Sequence, residues 1–250
     1  GSDAASLKTK AVRNGDHYVV TGSKQFISGG GENDVYITMV RTGEDGPKGI
    51  SCLVIEKEMD GVSFGAQERK LGWHSQPTAQ VNFDGVRVPV ENLVGAEGQG
   101  FGIAMAGLDG GRLNIGACSL GGAQRCLDEA ISYTRDREQF GKAVAEFQNT
   151  QFTLADMETE LQAARMLLYA AAVKVTENTP DKTRFAAMAK RLATDTGSAV
   201  ADRALQLHGG YGYLMDYPVE RFWRDLRVHS ILEGTNQIMR MIVGREILRP

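Results

Sequence analysis

One glutamate, Glu233, has a sequence context that suits a general base. It follows the apolar pair Ile231-Leu232 and precedes Gly234-Thr235. Burial disfavours the charged form of a carboxylate and raises its pKa, so a desolvated glutamate is a stronger base than one in water. Such a group could remove a weakly acidic proton from carbon where donors stabilise the charge that develops. The alternative for this residue taken alone is a helix-entry carboxylate favoured by the helix dipole.

Other residues could bind a phosphate or pyrophosphate. Thr235 and Asn236 can cap the amphipathic stretch 237–247, whose N-terminal amides would favour an anion. Gly209-Gly210 would let a ligand approach the backbone, although glycines also end helices routinely. This glycine pair follows a helix and lacks the strand-turn-helix context of a Rossmann site, and the neighbouring His208 has a structural interpretation.

The composition is that of an ordinary globular protein. The chain has 250 residues, 42% of them apolar and 24% charged, with a formal net charge of −3. This charge gives no reason to expect nucleic acid or an anionic membrane as a partner, and no apolar run is long enough to cross a bilayer. Three cysteines, Cys52, Cys118 and Cys126, favour neither a disulfide framework nor a zinc site and indicate a reducing compartment.

Up to about Val90 the sequence predicts strands. Residues 11–21 contain Asn14-Gly15, which suits a tight hairpin turn, and residues 35–40, 50–55 and 80–88 are rich in branched and aromatic side chains. Glycine-rich segments separate these runs. Several short strands with short connections indicate a small antiparallel β-barrel or sandwich, which we assign to residues 1–94.

From Phe101 onward the apolar residues recur at helical spacing. One stripe, interrupted by Thr196 and Arg203, predicts a long helix, and a second stripe predicts another. We assign residues 95–250 to an all-α domain resembling a four-helix bundle, and the whole chain to the α+β class. The two stripes consist of Phe185, Met188, Ala189, Leu192, Ala199 and Leu207, and of Leu154, Met157, Leu161, Ala164 and Leu168.

Four segments in this order and spacing resemble the acyl-CoA dehydrogenase family. The resemblance covers essentially the whole chain and agrees with the β-then-α layout. The segments are Gly1-Ser2-Asp3 with the strand ending Phe26-Ile27-Ser28, then residues 137–142 with Gln148, then 206–213, and then 232–238. Residues 70–78, 107–112 and 152–157 most resemble the isobutyryl-CoA dehydrogenase branch.

The resemblance implies an FAD-dependent oxidoreductase that dehydrogenates a short, branched acyl-CoA such as isobutyryl-CoA. Glu233 would remove the α-proton, and the hydride from Cβ would pass to the flavin N5. In the family, the amide of the base and a flavin ribityl hydroxyl hold the thioester oxygen. The electrons would go to an electron-transfer flavoprotein, and the oligomer would be a homotetramer. The metabolic setting would be branched-chain amino acid catabolism and fatty acid metabolism, in a bacterial cytoplasm or a mitochondrial matrix.

The resemblance also implies cofactor residues, with the FAD between the β-domain and the bundle. Arg137 would meet the FAD pyrophosphate through paired charge-assisted bonds, with an exposed helix arginine as the alternative. Gln139 and Phe140 would flank the same site, although many relatives have a threonine at the position of Gln139. The loop around Gly209 would approach the FAD of a neighbouring subunit. For Phe26, packing of a strand end into the core is the alternative. The full cofactor set is Phe26, Ile27, Ser28, Arg137, Gln139, Phe140, Gln206, Gly209, Gly210, Thr235 and Gln237.

Ser2, Asp109, Arg112 and Gly234 are the candidate substrate residues. For Asp109 and Arg112 an ion pair on a helix surface is an equal alternative, because residues three apart on a helix are neighbours. The resemblance places Arg112 close to Glu233, where its positive charge would favour the ionised base. In the isovaleryl branch the base immediately precedes the matching arginine. Here that position is Gly111, which leaves Glu233 as the candidate base.

The family usually begins with a helical domain of roughly a hundred residues, which this sequence does not contain. In the family that domain covers one side of the acyl pocket. Two alternatives therefore stay open. One keeps the enzyme and changes its substrate to butyryl-CoA or 2-methylbutyryl-CoA. The other is a non-catalytic fragment that retains only the fold and the oligomer interface.

Overall fold

The first of two compact units, Gly1–Gly107, is built on one six-stranded sheet with the order β4-β3-β1-β2-β6-β5. The computed structural model describes Gly1–Arg249. Every pairing in this sheet is antiparallel except the short parallel contact between β1 and β3. The strands are β1 Lys10–Asn14, β2 His17–Ser28, β3 Val35–Arg41, β4 Ile50–Glu56, β5 Val62–Phe64 and β6 Thr78–Pro89.

The predicted strands are all present, and their alternation builds the core of this unit. Val20, Val40 and Leu53 are completely buried, and the side chains of Tyr18 and Phe83 pack in the same cluster. The sequence analysis missed β5, because three residues are too short a run to show a strand pattern. It also did not predict the parallel pairing of β1 with β3.

The first hairpin forms one residue later than the Asn14-Gly15 dipeptide suggests. Asn14 is still paired with His17 in the ladder, so Gly15 and Asp16 make the turn. Gly15 has a φ angle of 63°, which glycine adopts without the steric cost of a side chain. The prediction of a hairpin here is therefore confirmed, while Asn14 belongs to the strand.

The second unit, from Leu108 onward, is helical. A hairpin of two-residue strands connects its first two helices, and short 3₁₀ turns follow the third and fourth. The β-domain followed by a helical domain confirms the predicted fold class. The elements are α1 Gly100–Asp136, β7 Glu138–Gln139, β8 Lys142–Ala143, α2 Gln148–Thr176, α3 Lys182–His208, α4 Val219–Leu226 and α5 Asn236–Ile247, with 3₁₀ turns at Gly209–Tyr213 and Arg227–Ser230.

Small residues let these helices pack closely, as the alanine-rich stripes predict. A Cβ added at Gly197 on α3 would lie 3.1 Å from the backbone oxygen of Ser119 on α1. A Cβ added at Gly116 would lie 2.9 Å from the side chain of Leu168 on α2. Close packing of this kind leaves little room for larger side chains. The second predicted stripe is confirmed, since Met157, Leu161, Ala164 and Leu168 are all buried.

The first predicted stripe was only partly correct. Ala189 is buried, but the larger apolar residues, such as Phe185 and Leu192, are only half-buried and pack at the edge of the core. Thr196 does not interrupt the buried face, because it is itself 6% exposed. The buried face of α3 also includes Lys190, with 0% exposure, which an apolar pattern cannot reveal.

In the part of the chain that the structure describes, no helix combines the length and the apolar character that a membrane span requires.

Candidate active site

Glu233 lies in a short strained loop between the 3₁₀ turn Arg227–Ser230 and helix α5. Its φ angle is 53°, and that of the following Gly234 is 87°. A residue with a side chain rarely adopts this left-handed conformation, which costs about 1–3 kcal/mol and persists only where the surroundings enforce it. The Glu233 side chain is half-buried. The loop therefore holds this carboxylate in one particular orientation.

The carboxylate of Glu233 lies against Gly111 on helix α1. A Cβ added at Gly111 would lie 3.0 Å from the Glu233 Cδ and closer still to Oε2. The absence of a side chain at Gly111 is therefore what leaves room for the carboxylate. Gly110, the preceding residue on the helix, has nothing within 4 Å of an added Cβ.

A buried polar network connects the Glu233 loop to helix α3. The Lys190 Nζ donates to the Gly234 carbonyl oxygen at 2.8 Å and to the Asn236 Oδ1 at 3.0 Å. The Asn236 Nδ2 donates to the Thr194 Oγ1 at 2.9 Å and to the Asp195 Oδ1 at 2.7 Å. These bonds satisfy polar groups that would be costly to bury alone.

Sequence reasoning missed Lys190 and the buried role of Asn236. Lys190 follows Ala189 of the predicted apolar stripe, but the apolar pattern gives no signal that the lysine itself is buried. Burial lowers the pKa of Lys190 to about 8, opposed by the charges of Asp195 and Glu233 and reinforced by Arg112. Asn236 does not cap α5. Thr235 does, since its side chain accepts from the backbone N–H of Ile238 at 3.3 Å.

Asp109 and Arg112 form an ion pair at three-residue spacing, with 2.8 Å between the Arg112 Nη1 and the Asp109 Oδ1. The predicted ion pair therefore exists, but it is buried and does not lie on the helix surface. The Asp109 Oδ2 also accepts from the Thr183 Oγ1 at 2.7 Å. Within Gly1–Arg249, the buried Arg112 Nε has no hydrogen-bond partner. The substrate roles of both residues stay a prediction.

His229, in the 3₁₀ turn that precedes the loop, is buried beside helix α1. Its Nδ1 lies 2.6 Å from the Ser119 Oγ. Burial and, to a lesser extent, the positive charge of Lys190 lower the pKa of His229 to about 4, while the charge of Asp225 acts in the opposite direction. His229 is therefore uncharged at neutral pH. Lys190 contacts the Glu233 loop directly, through the Gly234 carbonyl oxygen.

A groove on the helical unit brings together five of the predicted cofactor residues. It has a volume of about 420 Å³. The Arg137 guanidinium lies 5.6 Å from the centre of the Tyr211 ring. Cβ atoms added at Gly209 or Gly210 would meet nothing within 4 Å, so a ligand could approach the backbone there. The predicted residues that line the groove are Arg137, Gln139, Gln206, Gly209 and Gly210.

His208 also lines this groove, whereas Phe140 does not belong to its lining. Phe140 lies at the tip of the β7–β8 hairpin, is 94% exposed, and has a φ angle of 54°. His208 is buried, with its Nδ1 2.7 Å from the Ala204 carbonyl oxygen and its ring stacked on Tyr133 at 4.4 Å. These contacts agree with the structural interpretation of His208.

The remaining predicted residues lie at three places. Phe26, with a φ angle of 57°, sits in a register shift of β2 and is 69% exposed, so it does not pack into the core. Ile27 packs against that core, and Ser28 pairs with Thr78 at the strand end. Ser2 is exposed near the start of the chain, and Gln237 is exposed on the first turn of α5.

Two sequence families match consecutive parts of the chain. The family described as "Acyl-CoA dehydrogenase, C-terminal domain" matches residues 98–248. The family described as "Acyl-CoA dehydrogenase, middle domain" matches residues 1–86. The chain belongs to the acyl-CoA dehydrogenase family. The predicted resemblance is therefore confirmed.

Relatives of this chain include two mitochondrial isobutyryl-CoA dehydrogenases. That of Dictyostelium discoideum is 57% identical over 248 residues, or 99% of this chain and 60% of that protein. That of Bos taurus is 53% identical over 249 residues, or 100% of this chain and 60% of that protein. The butyryl-CoA dehydrogenase structure from Megasphaera elsdenii has 43% identity and a TM-score of 0.96, and the match covers 100% of this chain and 65% of that one. This chain thus spans about 60% of the length of the curated relatives it matches.

We expect Gly111→Ala to displace the Glu233 carboxylate without unfolding the protein. The new methyl group would meet the end of a flexible side chain, which can rotate away. Replacing glycine by alanine inside a helix also favours folding by about 0.5–1 kcal/mol. A crystal structure of the variant should show a changed Glu233 side-chain conformation, and urea denaturation should show unchanged or slightly greater stability.

Gly110→Ala is the matched control, because it makes the same change on the same helix in open space. It should leave the Glu233 conformation unaltered. If the carboxylate keeps its place in Gly111→Ala, the proposed steric relation between Gly111 and Glu233 is wrong.

We expect burial of neutral His229 to make stability depend on pH. The ordinary pKa of 6.5 applies to the unfolded chain and the lowered value of about 4 to the folded one. Between these values the unfolded chain binds a proton that the folded chain does not, so stability decreases as the pH falls from 6.5 to 4. The full contribution is about 3 kcal/mol, at 1.36 kcal/mol for each pKa unit.

Urea denaturation at pH 7 and at pH 4.5 measures this effect. His229→Asn can keep a hydrogen bond to Ser119 and lacks the titrating group, so it should lose less stability than the wild type over that interval. Equal losses in the two proteins would show that His229 does not titrate in this way.

Proposed function

We propose that this chain carries the base and the flavin-binding residues of an FAD-dependent enzyme that dehydrogenates isobutyryl-CoA. The observation that carries the proposal is the Glu233 carboxylate, fixed in a strained loop against the open side of Gly111. The names of the Dictyostelium and bovine relatives support the substrate.

Glu233 acts on the α-carbon of the acyl thioester. Its carboxylate takes the α-proton, and the electron pair of that C–H bond forms the new double bond as hydride leaves Cβ. When bound, FAD would supply the hydride acceptor at N5, and the product would be the α,β-unsaturated acyl-CoA. A base in this position needs to be fixed and partly desolvated, and the strained, half-buried loop supports both requirements.

The thioester oxygen gains negative charge as the proton leaves, and the Glu233 backbone N–H is the proposed donor to it. Within the described residues no carbonyl accepts from this amide. A preorganised donor at the point where charge develops is the usual device for lowering such a barrier. Gly234 suits the next position, because its φ angle is positive and an added Cβ would lie only 2.7 Å from the Met239 side chain.

The residues assigned to FAD suit its chemistry. Phe26 offers an exposed aromatic face, which can pack against a flat ring system. Arg137 offers a guanidinium beside the open backbone of Gly209 and Gly210, which suits a pyrophosphate. Ile27, Ser28, Gln139, Phe140, Gln206, Thr235 and Gln237 complete the proposed set.

The shared groove has a consequence for the oligomer. If the loop at Gly209 and Gly210 serves the FAD of a neighbouring subunit, Arg137 serves that same cofactor, because both line one groove. We propose a homotetramer whose flavin sites need two subunits, as the family resemblance implies. The proposed electron acceptor is an electron-transfer flavoprotein, and the proposed compartment is the mitochondrial matrix or a bacterial cytoplasm.

The substrate roles of Ser2, Asp109, Arg112 and Gly234 remain part of the proposal. The buried Asp109–Arg112 pair fixes the position of a cation on α1 one residue after Gly111.

An anaerobic absorbance spectrum before and after addition of isobutyryl-CoA tests the function. Bleaching of the flavin band that is fastest with isobutyryl-CoA supports the proposal. Faster bleaching with butyryl-CoA or 2-methylbutyryl-CoA would identify that compound as the preferred substrate. A protein without a flavin band, or with one that no acyl-CoA bleaches, would be a non-catalytic fragment.

We expect Glu233→Gln to retain flavin and lose its reduction by substrate, because an amide cannot accept the α-proton. The limiting rate should fall by about 10²–10⁴-fold, the usual contribution of a general base. Anaerobic stopped-flow absorbance measures it. Glu158→Gln, which removes an exposed carboxylate on α2, is the control and should react like the wild type. An unchanged rate in Glu233→Gln would show that another group is the base.

We expect Arg137→Met to weaken FAD binding by about 10- to 100-fold, which corresponds to one or two charge-assisted hydrogen bonds. Titration of the flavin-free protein with FAD, followed by flavin fluorescence, measures the dissociation constant. Arg135→Met removes an exposed arginine from the same helix end and is the control. Equal affinities for FAD in both variants would show that Arg137 does not bind the cofactor.

A further inference from the structure

Lys190 is a completely buried cation whose hydrogen bonds both go to the segment that carries Glu233. Its Nζ donates to the Gly234 carbonyl oxygen at 2.8 Å and to the Asn236 Oδ1 at 3.0 Å. Burying an ammonium group is costly unless hydrogen bonds and charges compensate. An apolar side chain would fill this position of α3 without that cost. The presence of a lysine here therefore indicates that its hydrogen bonds to the loop have a role of their own.

The bond to the Gly234 carbonyl acts on the strained part of the loop. Glu233 and Gly234 both have positive φ angles, at 53° and 87°. Because the Gly234 carbonyl is anchored to α3, the backbone that leaves Glu233 cannot rotate back to an ordinary conformation. The side-chain direction of Glu233, and its contact with Gly111, depend on this backbone conformation.

We propose that Lys190 is a positioning residue, which holds the Gly234 carbonyl and thereby keeps the Glu233 carboxylate in its catalytic orientation. This inference rests on the proposed role of Glu233 as the base. Lys190 acts through the backbone of the loop, and its amine need not touch substrate or flavin.

The second bond of Lys190 makes this anchor rigid. Asn236, which accepts from Lys190, also donates to Thr194 and Asp195 on α3. The loop is thus attached to one helix on both sides of Thr235. Two attachment points restrict rotation of the segment more than one does, and a displacement of about 1 Å of a catalytic group can cost 10²-fold in rate.

The charges around Lys190 come from several elements. Arg112 on α1, Asp195 on α3 and Glu233 in the loop all influence it, and Lys190 in turn lowers the pKa of His229. Asp195 and Glu233 favour the ammonium form, and burial and Arg112 oppose it. The amine donates hydrogen bonds to the loop whether or not it carries the extra proton.

The test compares Lys190→Met, which has no donor, with Lys190→Gln, which keeps a neutral donor. Lys182→Met, the other lysine of α3, is the matched control, because it contacts Asn178 at the start of the helix. The purified protein with its bound flavin is mixed anaerobically with isobutyryl-CoA. We expect Lys190→Met to lower the limiting rate of flavin reduction by about 10- to 100-fold, and to change the dissociation constant for isobutyryl-CoA less than about threefold.

Hydrogen exchange gives a readout that needs no turnover. In Lys190→Met the amides of residues 234–238 should exchange about 10-fold faster or more, while those of α2 should keep their protection. Lys190→Gln should recover part of both properties, and it decides the question if Lys190→Met fails to fold. Unchanged loop exchange, or an unchanged reduction rate in a folded Lys190 variant, would overturn the proposal.

A double variant separates this inference from the proposed function. If Lys190 acts through Glu233, then Lys190→Met should cause little further loss of rate in the Glu233→Gln background. Two independent losses that multiply would overturn the positioning role. A Glu233→Gln variant that reduces its flavin normally would instead overturn Glu233 as the base.

Discussion

The hydrogen bond from the Lys190 ammonium to the Gly234 carbonyl is the interaction on which the candidate site depends. It joins the most buried helix of the second unit to the one loop that carries Glu233. The loop has an unfavourable backbone conformation at Glu233, and such strain persists only where packing and hydrogen bonds outweigh it. Lys190 and Asn236 supply those bonds, so the orientation of the carboxylate is a property of the helical core.

Small residues make this arrangement possible. Gly116 and Gly197 let α1 approach its neighbours, and Gly111 leaves the space that the Glu233 carboxylate fills. A side chain at any of these positions would require the helices or the carboxylate to move. The same helix α1 thus packs the core at Gly116 and borders the site at Gly111, which couples the geometry of the site to the packing of the helices.

Much of the molecule follows from local sequence. The strands β1, β2, β3, β4 and β6 and the long helices follow from apolar periodicity, since burial of one face is a requirement that each segment meets by itself. Glu233 was identified from its neighbours, and the family from motifs spread along the chain. The hairpin at Asn14-Gly15 was also foreseen, although the turn forms one residue later because Asn14 pairs with His17.

The sequence by itself therefore determined the elements, the family and the candidate base, because each periodic stripe and each separate motif consists of residues close together in the chain. Only the tertiary structure decided how those residues are used. It buried Lys190 beside the predicted apolar stripe of α3, buried Thr196 where an interruption of that stripe was predicted, buried the Asp109–Arg112 pair, and left Phe26 exposed. Such outcomes depend on partners distant in sequence: Lys190 is tolerated in the core because Gly234 and Asn236, more than forty residues later, accept its hydrogen bonds.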